Sequence, residues 1–108
     1  MTRIDIIKSD EGVNVSVIGH ARGESGNNVL CAAVSMVSQL LEQTVSDLAA
    51  NGELRYGNAE KSDGKMIIRI VPDSRFESDV MRCINVVLRG FDMLAEKYPE
   101  DFRIFSNL

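Results

Sequence analysis

Two residues that could act together in catalysis, His20 and Cys31, lie on either side of a glycine-containing segment. A thiolate can attack a carbonyl carbon, and an imidazole can accept and return the protons that such a reaction moves. The intervening residues 21–30 form a segment long enough to fold back and bring the two side chains together. We therefore take His20 and Cys31 as a candidate pair of base and nucleophile.

The elements around this pair follow from the hydrophobic pattern. Apolar and polar residues alternate over residues 3–6 and 13–17, which predicts two strands joined by a turn. The stretch from Gly19 to Asn28 holds three glycines and no apolar period, so we expect an exposed, mobile loop. Apolar residues then recur at helical spacing from Val29 to about Ala50, where Asn51-Gly52 provides a left-handed stop.

The start of this helix would favour a reactive thiol. If Asn28 is the N-cap, Cys31 lies in the first turn, where free N–H groups and the helix dipole stabilise negative charge on sulfur. Cys31 also falls at the border between the apolar and polar faces. Ser35, one turn later, lies on the same side and could hydrogen-bond to the sulfur, the substrate or a preceding carbonyl.

The second half of the chain repeats the order of elements. Residues 53–56 and 66–71 predict two more strands with a polar turn between them, and Pro72 ends the second. Ser74 to Glu77 reads as a capping box that opens a helix, which Pro99 stops. The prediction is one α+β domain, residues 1–108, with a four-stranded mainly antiparallel sheet and two long helices in the order ββαββα. Residues 102–105 are ambiguous.

Composition limits the classes of function. The net charge of −4 and sequence pI of about 4.9 disfavour direct nucleic-acid binding and suit a basic peptide partner. We find no membrane span and no secretory signal, so we expect a cytoplasmic protein. Cys31 and Cys83 should then be free thiols, with Cys83 buried beside Val80, Ile84 and Val87. Three widely separated Cys and His residues do not make a zinc site, and no cofactor is expected.

Other interpretations of the same residues stay open. Cysteines are often buried and a lone histidine is commonly structural, so His20 and Cys31 could serve packing alone. Gly19, Gly23 and Gly26 before a helix could cradle a phosphate, although the loop lacks the Lys-Ser or Lys-Thr of a P-loop. A more common reason for such glycines is turn conformation and mobility.

The motif around the candidate pair resembles that of the bacterial ribosomal-processing cysteine protease family. The resemblance rests on Gly19-His20-Ala21, a glycine-rich loop, the run from Val29 to Ser35, and Lys97-Tyr98-Pro99 near the end. It implies an endopeptidase, usually a homodimer, that removes a short N-terminal extension from a large-subunit ribosomal protein, cutting after an aromatic residue. It also implies a general base at His20, a nucleophile at Cys31, and supporting roles for Gly19, Asn28 and Ser35.

Two departures from the family pattern touch the site. Asn28 stands where the family usually has Asp, and the loop between His20 and Cys31 is one residue shorter. Asn can still cap a helix and form hydrogen bonds, but it cannot supply the charge that would hold an imidazolium. We expect activity or specificity to differ from the family's. The alternative is a non-catalytic module of the same fold that binds a ribosomal or other basic peptide.

Overall fold

Seven regular elements follow one another in the described part of the chain. The computed structural model describes residues 2–19 and 28–108, with Asn28 described by its backbone only. His20 and the predicted loop residues 21–27 lie outside the described residues. The elements are β1 (Thr2–Lys8), β2 (Val13–Ile18), α1 (Asn28–Ala50), β3 (Leu54–Ser62), β4 (Lys65–Pro72), α2 (Glu77–Lys97) and β5 (Phe102–Ser106).

The strands form one mixed sheet in the order β3-β4-β2-β1-β5. The first four strands pair antiparallel, which confirms the two predicted hairpins. The predicted four-stranded sheet is wrong in one respect, because β5 adds a fifth strand parallel to β1. Asn107 secures this edge strand: its side chain accepts a hydrogen bond from the Lys8 N–H and donates one to the Lys8 carbonyl. With α2 as the crossover before it, a parallel partner is possible.

Both helices cover one face of the sheet and close a single core. The inward side chains of the strands are apolar and buried, as period-2 alternation requires. They are Ile4, Ile6, Val13, Val15, Val17, Met66, Ile68 and Ile70, and they pack with Leu30, Leu41 and Val45 of α1 and Ile84 and Phe91 of α2. This two-layer arrangement confirms the predicted α+β class.

Helix α1 agrees with the sequence prediction at both ends. It begins at Asn28 and ends at Ala50, followed by Gly52 with a positive φ of 75°. Among the described helices, Val29–Ala50 is long and apolar enough to cross a membrane, a test that core helices of soluble proteins also pass. In this fold its apolar side packs against the sheet.

The start of α2 corrects the predicted capping box. Asp73, not Ser74, is the capping residue, and it caps the turn before α2: its carboxylate accepts a hydrogen bond from the Arg75 N–H at 2.9 Å, whereas α2 itself has no side-chain cap at Phe76. A single 3-10 turn, Ser74–Phe76, then leads into the helix at Glu77. The carboxylate directly after Pro72 is a stronger acceptor than a serine hydroxyl, so the cap moves one residue towards the strand.

Cys83 is exposed, which corrects the prediction that it is buried. The buried arc of α2 runs through Val80, Ile84, Val87, Leu88 and Phe91. At about 100° per residue, Leu88 extends this arc away from Cys83 and leaves the thiol beyond its edge. Cys31 and Cys83 are not joined by a disulfide.

Candidate active site

A groove of about 780 Å³ runs between α1 and the hairpin of β3 and β4. One wall is the polar side of α1, which contributes Cys31, Ser35, Ser38, Gln39, Glu42, Gln43 and Ser46. The hairpin turn, residues 61–66, forms the other wall. Cys31 is the first of the helix residues in the groove, so the thiol lies at the end nearest the start of α1.

The Cys31 side chain is half-buried, in agreement with its expected position at the border of the helix faces. It lies in the first turn of α1, where backbone N–H groups point towards the start of the helix. A half-buried sulfur at such a position is both accessible and close to main-chain donors. This arrangement suits a thiolate that attacks a carbonyl carbon and an oxyanion that those donors stabilise.

Ser35 follows one turn later and lines the same groove. Its Oγ accepts a hydrogen bond from Gln39 Nε2 at 3.2 Å. A hydroxyl that accepts one hydrogen bond can still donate another through its own O–H. Ser35 therefore has a hydroxyl proton available for a hydrogen bond in the groove, one turn after Cys31.

Gly19 brings the end of β2 to the groove. Its N–H donates to the Gly64 carbonyl at 3.0 Å, which ties it to the turn between β3 and β4. A Cβ at Gly19 would lie 3.1 Å from Thr2 Oγ1, a tight contact, so a larger residue would crowd Thr2. Gly64 itself has a positive φ of 73°, which the turn requires. The residue that precedes His20 in sequence thus lines the same groove as Cys31.

Three of the five predicted site residues are therefore placed together. Gly19, Cys31 and Ser35 line one groove. His20 is outside the described residues, so its contact with Cys31 stays a prediction. The same holds for the side chain of Asn28 and for the loop suggested as a lid, with hinges at Gly23 and Gly26.

Sequence reasoning missed the far part of the groove. Glu42, interpreted from the sequence as part of a solvated face, accepts a hydrogen bond from Lys61 Nζ at 3.1 Å, which joins α1 to β3 across the groove. The sequence pattern that could have indicated this part of the groove is the position of Ser35, Ser38 and Glu42 on one side of the helix. The partner strand could not be identified from spacing, because Lys61 reaches the groove only through the pairing of β3 with β4.

The charged side chains on the described groove walls balance, with two acidic and two basic residues. Glu42 and Asp63 stand against Lys61 and Lys65. Within residues 2–19 and 28–108, no group of three His, Cys, Asp or Glu side chains could hold a metal ion. From Cys31 to Ser46 the helix rises about 22 Å, the length of about six to seven extended residues. The described arrangement can hold an extended peptide with a thiol at one end.

Comparison with known proteins agrees with this geometry. The family model described as cysteine protease Prp matches residues 1–103. The ribosomal processing protease Prp from S. aureus in complex with a substrate peptide has a TM-score of 0.75 at 25% identity, covering 99% of this chain and 100% of that one.

Two further structures extend the comparison. The same S. aureus protease with a covalently linked product peptide has a TM-score of 0.73 at 28% identity, again over 99% and 100% of the two chains. SMU.848 from Streptococcus mutans, at 24% identity and a TM-score of 0.69 over 99% and 96%, shares the fold. No curated protein matches the chain.

Proposed function

Because the chain belongs to the Prp cysteine protease family, we propose that it is an endopeptidase that removes a short N-terminal extension from a precursor of a large-subunit ribosomal protein. The observation that carries this proposal is the half-buried Cys31 thiol in the first turn of α1, at one end of a groove of peptide length. The S. aureus structures with bound substrate and product peptides support a peptide substrate.

In the proposed reaction, the Cys31 thiolate attacks the carbonyl carbon of the scissile bond. The new C–S bond gives a tetrahedral oxyanion, which backbone N–H groups at the start of α1 stabilise. His20, in its protonated form, gives its proton to the amine as the C–N bond breaks, leaving a thioester on Cys31. His20 then takes a proton from water, whose oxygen attacks the thioester, and the freed thiolate completes the cycle.

The supporting residues have separate roles in this scheme. Gly19 holds the chain before His20 against the hairpin turn through its bond to the Gly64 carbonyl. Ser35, whose Oγ accepts a hydrogen bond from Gln39, donates a hydrogen bond to the sulfur or the substrate. Asn28 opens α1 and is proposed to hydrogen-bond to the imidazole without supplying the negative charge that the family's Asp would give.

The proposed substrate and compartment agree with the overall charge. A net charge of −4 favours approach of the basic proteins found in ribosomes. The protease would act in the cytoplasm, before the ribosomal protein takes its place in the large subunit. The charge supports a basic partner but does not select the cleavage site, because the described groove charges balance.

We also propose a homodimer, supported by an apolar surface across both helices. Exposed side chains on adjacent sides of α1 and α2 include Met36 at 64%, Leu40 at 52%, Val86 at 70% and Met93 at 64%. The helices lie close together, because a Cβ at Gly90 would approach Val37 to 3.2 Å. A second copy of the chain would cover this surface.

A processing assay tests the proposed activity. The full-length ribosomal precursor from the same organism is incubated with the protein and analysed by intact mass. We expect loss of the extension with the wild type and an unchanged mass with Cys31→Ala. An unchanged precursor in both reactions would contradict the proposal and favour a non-catalytic peptide-binding module.

Thiol labelling tests the proposed pairing of His20 with Cys31. The labelling uses a Cys83→Ser background, so that Cys31 is the only thiol in the protein. At pH 7 we expect iodoacetamide to alkylate Cys31 at least about tenfold faster than it alkylates glutathione, because the thiolate is the reactive form. His20→Ala should remove this advantage. A Cys31 that reacts no faster than glutathione would show that the activated pair is absent.

A further inference from the structure

One hydroxyl in the groove lacks a partner. Ser38 lies two turns after Cys31 on α1, lines the groove, and is only 8% exposed. Its Oγ makes no hydrogen bond in the structure as described. Buried polar groups are normally paired, because an unpaired one loses its bonds to water without replacement.

The neighbouring polar groups on the same wall are already engaged. Ser35 accepts a bond from Gln39, and Glu42 pairs with Lys61. Ser38 lies between these two contacts along the helix and is the one side-chain polar atom found buried and unpaired among the described residues. Its hydroxyl is positioned by a single torsion, χ1, which has three staggered positions.

The spacing on α1 defines where a bound peptide would meet this hydroxyl. Seven residues separate Cys31 from Ser38, a rise of about 10 Å along the helix. An extended peptide covers that distance in about three residues. A serine hydroxyl can both donate and accept, so it can bond to a main-chain carbonyl or N–H whatever the side chain of the substrate.

We propose that Ser38 is a substrate-positioning residue, whose hydroxyl hydrogen-bonds the main chain of the bound peptide about three residues from the scissile bond. This inference rests on the proposed peptidase function. The proposed contact accounts for the unpaired hydroxyl at a buried position of α1, because the hydrogen bond that Ser38 lacks in the free protein is made with the substrate.

Direct binding tests the proposal without any cleavage. A fluorescein-labelled peptide spanning the precursor's cleavage junction, with six residues on each side, is titrated into Cys31→Ala and followed by anisotropy. Adding Ser38→Ala should raise Kd about three- to tenfold, the range expected for one hydrogen bond. Adding Ser78→Ala, a matched change on the exposed surface of α2, should leave Kd unchanged.

Shortened peptides locate the contact. Peptides are trimmed to two residues on one side of the junction and then on the other. The effect of Ser38→Ala should disappear for one of these trims, because that peptide no longer reaches the hydroxyl. An effect of equal size on both trimmed peptides would overturn the proposal.

Kinetics and stability separate positioning from a structural role. In the otherwise wild-type protein, Ser38→Ala should raise KM with little change in kcat, since the bond is present in both the ground and transition states. Tm should not fall, because the change removes an unpaired polar group. An unchanged Kd, or a lowered Tm, would overturn the inference, as would a Cys31→Ala protein that binds no peptide. The processing assay judges the peptidase function separately.

Discussion

At the scale of single residues, Asn28 stands at the start of α1, where the resemblance to the family leads us to expect an aspartate. We predict that Asn28→Asp raises kcat/KM for the precursor about tenfold, because a carboxylate near the start of α1 would stabilise the imidazolium of His20. Asn58→Asp adds the same charge on exposed β3 and should have no effect. Equal rates for Asn28→Asp and the wild type would show that the charge at this position does not support His20.

Gly19 is the second residue with a defined steric role. We predict that Gly19→Ala lowers kcat/KM about tenfold, because the new methyl group would lie 3.1 Å from Thr2 Oγ1 and displace the chain before His20. Adding Thr2→Ala makes room for the methyl and should restore most of the activity. A double variant as slow as the single one would contradict this cause, and kinetics on both variants provide the comparison.

At the scale of elements, Asp73 joins β4 to α2. Hydrogen bonds from the Arg75 side chain and backbone lower the pKa of Asp73 below its ordinary value of 3.8. A lowered pKa in the folded state means that the stabilisation is present above the unfolded value and is lost as pH falls through the folded value.

We therefore predict that Asp73→Ala lowers Tm by a few degrees at pH 7, and that the difference from the wild type shrinks below about pH 4. Asp92→Ala, on the exposed side of α2 away from its start, is the matched control and should change Tm little. Thermal unfolding at several pH values measures both. A difference that persists unchanged at pH 2.5 would contradict the role of the carboxylate.

Strand β5 packs on α2 through an aromatic contact. Phe102 is buried and stacks on Phe91 of α2, with ring centroids 6.3 Å apart. We predict that Phe102→Ala lowers the free energy of unfolding by about 3–5 kcal/mol, from lost burial and the cavity that remains. Phe105→Ala, at an exposed position of the same strand, should cost far less. Denaturant unfolding of the two variants gives the comparison.

At the scale of the whole molecule, the apolar surface on α1 and α2 determines the proposed assembly. We predict that Val86→Glu converts a dimer to a monomer, because a charge would be desolvated at the interface. Ile7→Glu, on the sheet face away from the helices, should leave the dimer intact. Sedimentation velocity measures both. A monomeric wild type at micromolar concentration would contradict the proposed homodimer.

Much of the fold could be predicted because its elements carry strong periods. Alternation identified β1 and β2, an apolar run identified β4, and helical spacing identified α1 and α2 with their ends within a few residues. For β3 only the first residues were predicted, because its later residues are polar and exposed and were assigned to the turn. β5 was not identified, since it is five residues long with one buried side chain and shows little alternation. Cys83 was wrongly predicted to be buried because Val80, Ile84 and Val87 do not by themselves define the centre of the buried arc, which Leu88 extends on the side away from Cys83.

The sequence by itself determined the class of the fold, the candidate thiol at the start of α1, and the family resemblance, because each depends on residues close together along the chain. Only the tertiary structure decided what faces that thiol. The hairpin of β3 and β4 reaches the polar side of α1 through strand pairing, Lys61 meets Glu42 there, and Ser38 becomes buried without a partner. These contacts join residues far apart in sequence, so packing of the whole sheet and both helices determines them.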